Sequence, residues 1–330
     1  MRRFGWVLGR ILLALIVVGG LIFWFGPRED VDLNPSFESR KFGEGVQVYF
    51  ESTEASFDDI VPGVEKRVIW QDRFKEQRTP YSVLYIHGFS ASSEEIRPVP
   101  DLVADALEAN LVYTRLQGHG RDGPAMAEGT ATGWMQDTAE GLAAARAVGE
   151  KVIVISTSTG GTLAAAVALD ANLSQNVVGM VFVSPNFGVN TAAAWVPTLP
   201  WARHWLPLLM GQERDVSGPD PEKNTYWSAV YPWEAVVPMS VLVDTVYALD
   251  FSQALVPALF WFSDDDQVVR PDRTHKVAEA WGAPARVELV KMGPGDDPAS
   301  HVIAGRLMSP GQTDAAVTGI LEWLKELGVQ

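Results

Sequence analysis

A run of mostly β-branched residues, Lys151-Val152-Ile153-Val154-Ile155, stops at a cluster of small ones, Ser156-Thr157-Ser158-Thr159-Gly160-Gly161. An alanine-rich stretch, 162–171, follows at once. The pattern predicts a buried strand, a very tight turn and a helix, with Ser158 at the apex. A hydroxyl held there projects above the sheet edge. The helix start behind it offers free N–H groups and the positive end of a dipole. Ser156 and Gly160, two residues to either side, are small, as they must be where strand and helix nearly touch. The chemistry this arrangement suits is nucleophilic attack. A serine hydroxyl needs a neutral imidazole to take its proton, and the imidazole needs an acceptor to fix its tautomer. The chain offers five histidines, His87, His119, His204, His275 and His301, and one loop of three consecutive aspartates, Asp264-Asp265-Asp266.

Those side chains are far apart in sequence, so the fold must bring them together. Short β-rich stretches stand at 46–50 and 64–70, and from there strands and helices alternate. Strands are expected at 82–86, 111–115, 152–156, 179–184, 257–263 and 286–290. Helices are expected at 99–110, 135–148, 162–171, 273–281 and 313–327. Such alternation predicts a mostly parallel sheet with helices on both faces, and ligands bind beyond the carboxyl ends of its strands. Residues 188–250 break the rhythm, with Trp195, Trp201, Trp205, Trp227 and Trp233 among several prolines. They read as a cap inserted over the site, an apolar wall for an acyl chain or a surface resting on a membrane interface.

Several motifs in order resemble those of α/β-hydrolases, and the resemblance runs from about Val64 to the C-terminus. Ser156-Thr157-Ser158-Thr159-Gly160 is similar to the G-x-S-x-G nucleophile elbow, with serine for the first glycine. His87-Gly88-Phe89 resembles the turn in which a histidine is structural and a following backbone N–H helps form an oxyanion hole. Gly118-His119-Gly120 resembles the family's second, also structural, histidine loop. His204 falls in the cap, and His275 opens a helix as a surface residue. Family order places the base at His301, between the last strand and the last helix. Family register places the acid at Asp266, with Asp264 and Asp265 as loop neighbours. The resemblance thus implies Ser158, Asp266 and His301 as the catalytic set, with Phe89 and Thr159 N–H groups as oxyanion donors. Bacterial carboxylesterases, monoacylglycerol lipases and serine aminopeptidases look most similar. The implied activity is ester cleavage through an acyl-enzyme, with no cofactor and no metal.

The first 26 residues carry a different signal. Residues 11–26 have no charge, and with the apolar residues before Arg10 they give roughly 20, the length a bilayer requires. The run ends in Leu21-Ile22-Phe23-Trp24-Phe25, with no Ala-x-Ala after it, which reads as an uncleaved anchor rather than a cleaved signal peptide. Arg2, Arg3 and Arg10 precede the span or lie in its start, and Glu29, Asp30 and Asp32 follow. The expected topology is a cytoplasmic N-terminus and an extracytoplasmic body, periplasmic in a bacterium. The expected organisation is anchor 1–26, polar tether 27–45, core 46–187, cap 188–250 and core 251–330.

A net charge of −15, from 26 basic against 41 acidic residues, excludes non-specific nucleic-acid binding. There is no cysteine, hence no thiolate site or disulfide. Gly118-His119-Gly120-Arg121-Asp122-Gly123 matches G-x-G-x-x-G formally, but Pro124 and a loop follow where a dinucleotide site needs a helix. Adjacent aspartates cannot converge on calcium as spaced ligands do. Two rival readings stand. A peptidase on the same fold would anchor a terminal amine through cap acids such as Glu213, Asp215, Asp220 or Glu222. A non-catalytic lipid-binding scaffold would share the fold without the chemistry. Sequence leaves the physiological substrate and the oligomeric state open.

Overall fold

The structure, a computed structural model, describes residues 2–72 and 75–329. It opens with α1 (Arg2–Trp24), whose stretch Trp6–Trp24 has a mean hydropathy of 2.4 and stands wholly exposed. Among the described residues it is the one helix long and apolar enough to cross a membrane, a character that signal sequences share. The side chains of Arg2 and Arg3 lie outside the described set.

Next comes α2 (Val46–Glu54), where the sequence suggested β structure. Val46, Phe50 and Glu54 are its buried residues, spaced by four and so on one helical face, while Val48 is exposed. Five residues of alternating character satisfy either period. Glu54 decides between them, because its carboxylate takes Nε and Nη2 of buried Arg115 at 2.7 and 2.8 Å.

The body then follows the expected alternation. It runs β1 (Arg67–Ile69), β2 (Thr79–Ile86), α3 (Val99–Ala106), β3 (Asn110–Tyr113), α4 (Ala131–Val148), β4 (Gly149–Thr157), α5 (Thr159–Ala168) and β5 (Val177–Val183). The insertion holds α6 (Ala202–Met210), β6 (Glu213–Asp215), α7 (Pro221–Tyr226), β7 (Val230–Pro232) and α8 (Val236–Tyr247). The chain closes with β8 (Ala258–Phe262), α9 (Pro271–Ala280), β9 (Ala285–Leu289) and α10 (Thr313–Glu326).

Seven strands form one sheet in the order β1-β3-β2-β4-β5-β8-β9, parallel except for the β1–β3 edge. Alternation along β4 explains the layers. Val152 and Val154 join the core that α4, α5 and α8 cover, whereas Ile153 and Ile155 join the core under α3 and α10. Both faces are therefore dry, and each fully buried Val, Ile or Phe side chain contributes about 1.5–3 kcal/mol.

Two further segments pack against this body. Residues 27–45 were expected as a tether, but they are laid along the body. The Pro27 carbonyl accepts the Trp201 N–H at 2.8 Å, Glu29 takes Arg203 at 2.7 and 2.9 Å, and Asp32 N–H donates to Thr132 Oγ1 at 3.0 Å. Phe42 is buried in the core beyond them. Within the insertion, β6 and β7 pair in their own antiparallel ribbon, and α8 packs deep against α4 and α5. Every residue singled out for chemistry lies past the carboxyl end of a strand: His87 and Phe89 after β2, Ser158 after β4, Asp266 after β8, and His301 after β9.

Candidate active site

The β4–α5 turn leaves Ser158 at φ +51°, ψ −118°, a conformation that costs a non-glycine residue free energy. Neighbouring backbone holds it there. Ser158 N–H donates to the Val183 carbonyl at 3.0 Å, and its own carbonyl accepts from Gly161 and Asn186, both at 2.9 Å. A side chain at Gly160 would collide with the carbonyl oxygens of Ile86 and His87, so helix and strand approach only because that position is bare. Ser156 is accommodated differently: its hydroxyl donates to the Val181 carbonyl at 3.0 Å and is fully buried.

His301 Nε2 lies 3.1 Å from Ser158 Oγ, and its Nδ1 lies 2.8 Å from Asp266 Oδ2. The other Asp266 oxygen accepts the Val268 and Val269 N–H groups at 2.8 and 2.9 Å. That fixes the carboxylate, which fixes the Nδ1–H tautomer and leaves Nε2 free to accept from serine. All three residues are buried. Burial pulls the His301 pKa down, but the hydrogen bond and charge of Asp266, helped by Glu95 and Asp297, outweigh it and hold the pKa above 6.5. Asp264 and Asp265 are exposed, and Asp264 pairs instead with His275 at 2.7 Å.

The remaining histidines stand elsewhere. His204 is exposed in the insertion, its ring 5.8 Å from that of Trp201. His87 is fully buried and donates from Nδ1 to the Gly88 carbonyl at 2.9 Å, while Nε2 accepts the Leu116 N–H at 3.1 Å. Burial lowers its pKa to about 4, so it stays neutral and ties the loop after β2 to the loop after β3. His119 packs between His87, Phe89 and Trp134, and its pKa is held well down by burial and by the neighbouring His87. Among the described residues, neither Phe89 N–H nor Thr159 N–H has an acceptor in the protein. Both residues line a cavity of about 300 Å³ together with Ser158 and His301.

Two carboxylates in that wall had no sequence assignment. Asp297 accepts the backbone N–H groups of Ala299, His301 and Val302 at 3.1, 3.1 and 2.9 Å, and so shapes the histidine loop. An Asp-Pro pair opening a loop is a signal for such local capping. Glu95 Oε2 accepts Gly88 N–H at 2.7 Å and the Tyr85 hydroxyl at 2.9 Å. Burial raises the Glu95 pKa to about 7, against the lowering pull of Gly88 N–H, Tyr85 and His301. Nothing in Glu94-Glu95 tells which carboxyl turns inward. The insertion supplies the opposite wall, including Arg214, Val216, Lys223, Trp227, Tyr231 and Met239. The four acids considered as amine anchors, Glu213, Asp215, Asp220 and Glu222, are all exposed, and none lines the cavity. A larger hollow of about 470 Å³ beside α2 has neither serine nor histidine in its wall.

The model of the alpha/beta hydrolase family matches residues 83–318, which include the elbow, the acid loop and the histidine loop. The chain belongs to that family. This hydrolase is 25% identical over 199 residues to the thermostable monoacylglycerol lipase of Bacillus sp. (strain H-257), covering 60% of this chain and 75% of the relative. Among solved structures, it is similar to one from a report on two metagenome-derived lipolytic enzymes, LipS and LipT. The TM-score is 0.65 at 18% identity, over 81% of this chain and 99% of that one. It is also similar to a soluble variant of the Saccharomyces cerevisiae monoglyceride lipase, with a TM-score of 0.58 at 14% identity, over 82% and 97% of the two chains. At these identities the structural likeness is one of fold, and the hydrolase shares it with lipases and esterases.

Proposed function

We propose that this protein is a membrane-anchored serine hydrolase that cleaves carboxylic esters of lipid-derived or monoacyl compounds. The observation that carries the reading is the unbroken chain of contacts from Ser158 Oγ through both nitrogens of His301 to Asp266. In the proposed mechanism His301 Nε2 takes the Ser158 proton as Oγ attacks the acyl carbonyl. Asp266 keeps the tautomer and stabilises the imidazolium. The N–H groups of Phe89 and Thr159 receive the oxyanion, and losing one such donor typically costs about 3 kcal/mol of barrier. His301 then protonates the leaving alcohol, and water deprotonated by the same nitrogen cleaves the acyl-enzyme. The monoacylglycerol lipase relative and the apolar part of the cavity wall favour an acyl-chain substrate. The exposed apolar helix α1 favours the anchor. Arg10 within it and Glu29, Asp30 and Asp32 after it favour a cytoplasmic N-terminus.

A fluorophosphonate probe tests the nucleophile. Labelling is expected in the unaltered protein and lost in Ser158→Ala; persistent labelling of the variant would point to another nucleophile, and none in either protein to a binding scaffold. A series of p-nitrophenyl esters of increasing chain length, beside aminoacyl anilides, separates ester from amide work. Hydrolysis of the anilides alone would favour the peptidase.

A further inference from the structure

The wall that residues 188–250 turn toward Ser158 is cationic, although the chain carries a net charge of −15. The local geometry explains the selection. β6 is extended, so successive side chains face opposite ways. Arg214 and Val216 line the cavity, while Glu213 and Asp215 are exposed. Lys223 on α7 and Trp227, just past the helix end, line it together, whereas Asp220 caps the helix start and Glu222 pairs outward with Arg306 at 2.6 Å. The acids adjacent in sequence are thus turned out, and the two cations face in.

Both cations are half-buried and lie over aromatic rings, Tyr231 and Trp227 of the same wall and Trp233 behind it. The Arg214 guanidinium lies 5.9 Å from the Tyr231 ring centre and 5.4 Å from that of Trp233, and Lys223 Nζ lies 6.0 Å from that of Trp227. Among the described residues neither forms an ion pair. The carboxylates across the cavity do not answer them. Asp297 is taken up by three backbone N–H groups, and Glu95 by Gly88 N–H and the Tyr85 hydroxyl. Nor does Asn224, whose amide is used on both backbone groups of Gly218.

A guanidinium and an ammonium that no carboxylate of the described residues pairs with, the first beside the Tyr231 hydroxyl, face the cavity that holds the nucleophile and suit an anionic oxygen group. We propose that the ester taken by this site carries a carboxylate or phosphate away from the scissile carbonyl, and that Arg214 and Lys223 bind it. The inference rests on the esterase reading above and sharpens it. A substrate bearing an ammonium at that place would meet like charge.

Matched substrates test it, using the full-length protein in uncharged detergent micelles. One pair is the p-nitrophenyl ester of a diacid with its far carboxylate free, and its methyl-capped twin. The other is monoacylglycerol phosphate and monoacylglycerol. At low ionic strength kcat/KM is expected to favour the anionic member of one pair by roughly ten-fold. The ratio should shrink with added salt and collapse toward one in Arg214→Gln and Lys223→Gln. Which pair responds separates carboxylate from phosphate. Equal rates within both pairs, or a preference that outlives both substitutions, would overturn the anion site and leave the esterase reading standing. Binding of the corresponding non-hydrolysable amides to Ser158→Ala, followed by tryptophan fluorescence, reads the same site without turnover. Tighter binding of the charged amide supports the site, and equal binding overturns it.

Discussion

In the proposed mechanism His301 accepts the Ser158 proton only while its Nε2 is unprotonated, so the groups around the imidazole would set the pH at which the site works. Burial would favour the neutral ring, but Asp266, Glu95 and Asp297 together raise its pKa above 6.5. Because the raised value keeps the ring charged to higher pH, kcat/KM for a soluble ester should climb with pH through a midpoint above 6.5. Asp266→Asn should lower that midpoint and cut the rate by roughly 10³–10⁴-fold. A midpoint indifferent to the substitution would remove Asp266 from the mechanism. Glu95 makes a second pH effect, on stability. Its carboxyl goes from an ordinary 4.5 to about 7 on folding, so the folded state holds its proton more tightly. The stability this gives is complete below pH 4.5, declines as pH rises and is gone above about 7. The change corresponds to roughly 3 kcal/mol. Glu95→Gln keeps an oxygen for Gly88 N–H and the Tyr85 hydroxyl but has no proton to lose. Relative to the unaltered protein it should gain stability between pH 4.5 and 8, read from urea midpoints at the two ends. A constant difference across that range would rule out the linkage.

The elbow shows how much an element can be read from its residues and where reading stops. The β-branched run of β4, the small residues and the alanines of α5 announce strand, turn and helix, because each pattern is local. Gly160 follows from the same logic. Gly160→Ala should push α5 off the loop after β2, slow fluorophosphonate labelling at least ten-fold and destabilise by about 1–3 kcal/mol, as overpacking does. Ser156→Gly loses the hydrogen bond to Val181, about 1 kcal/mol, and adds a glycine's backbone freedom to a strand, about 0.5–1 kcal/mol, but should label at the normal rate. Labelling of Gly160→Ala at the normal rate would show that the close approach is not what sets the nucleophile. Strands β2, β4, β5 and β8 were equally legible, because a parallel sheet covered on both faces needs uninterrupted apolar runs. What failed to show was tertiary. Residues 46–50 fit two periods, and only the burial of Glu54 against Arg115 makes them a helix. The Glu29–Arg203 pair that straps residues 27–45 down joins partners 174 apart in sequence. The inward turn of Glu95 depends on the Gly88 N–H and on the Tyr85 hydroxyl of β2, and no spacing announces either.

At the scale of the whole molecule, the junction between α1 and α6 determines how the body would stand against a bilayer. The Trp201 indole donates to the Ile22 carbonyl at 3.3 Å, its backbone N–H donates to Pro27 at 2.8 Å, and Arg203 clasps Glu29. The first turn of α6 is therefore fastened to the last turn of α1. If α1 crosses the membrane, α6 has to lie at the depth of the headgroups, where tryptophan is favoured. Its far end is suited to that position: Leu208 and Leu209 are 79% and 74% exposed, a liability in water and a gain in lipid. The absence of cysteine makes the test clean, since a single introduced thiol carries the only label. Leu208→Cys and Leu209→Cys, each bearing an environment-sensitive dye, are compared with Leu289→Cys on the β9 sheet edge in full-length protein reconstituted into phospholipid vesicles. The dye on α6 should emit to the blue and be quenched by brominated lipid, while the dye on β9 should do neither. Identical spectra at the three positions would detach the insertion from the membrane. Quenching at Leu289→Cys alone would turn the body over on its anchor and place β9, not α6, against the lipid.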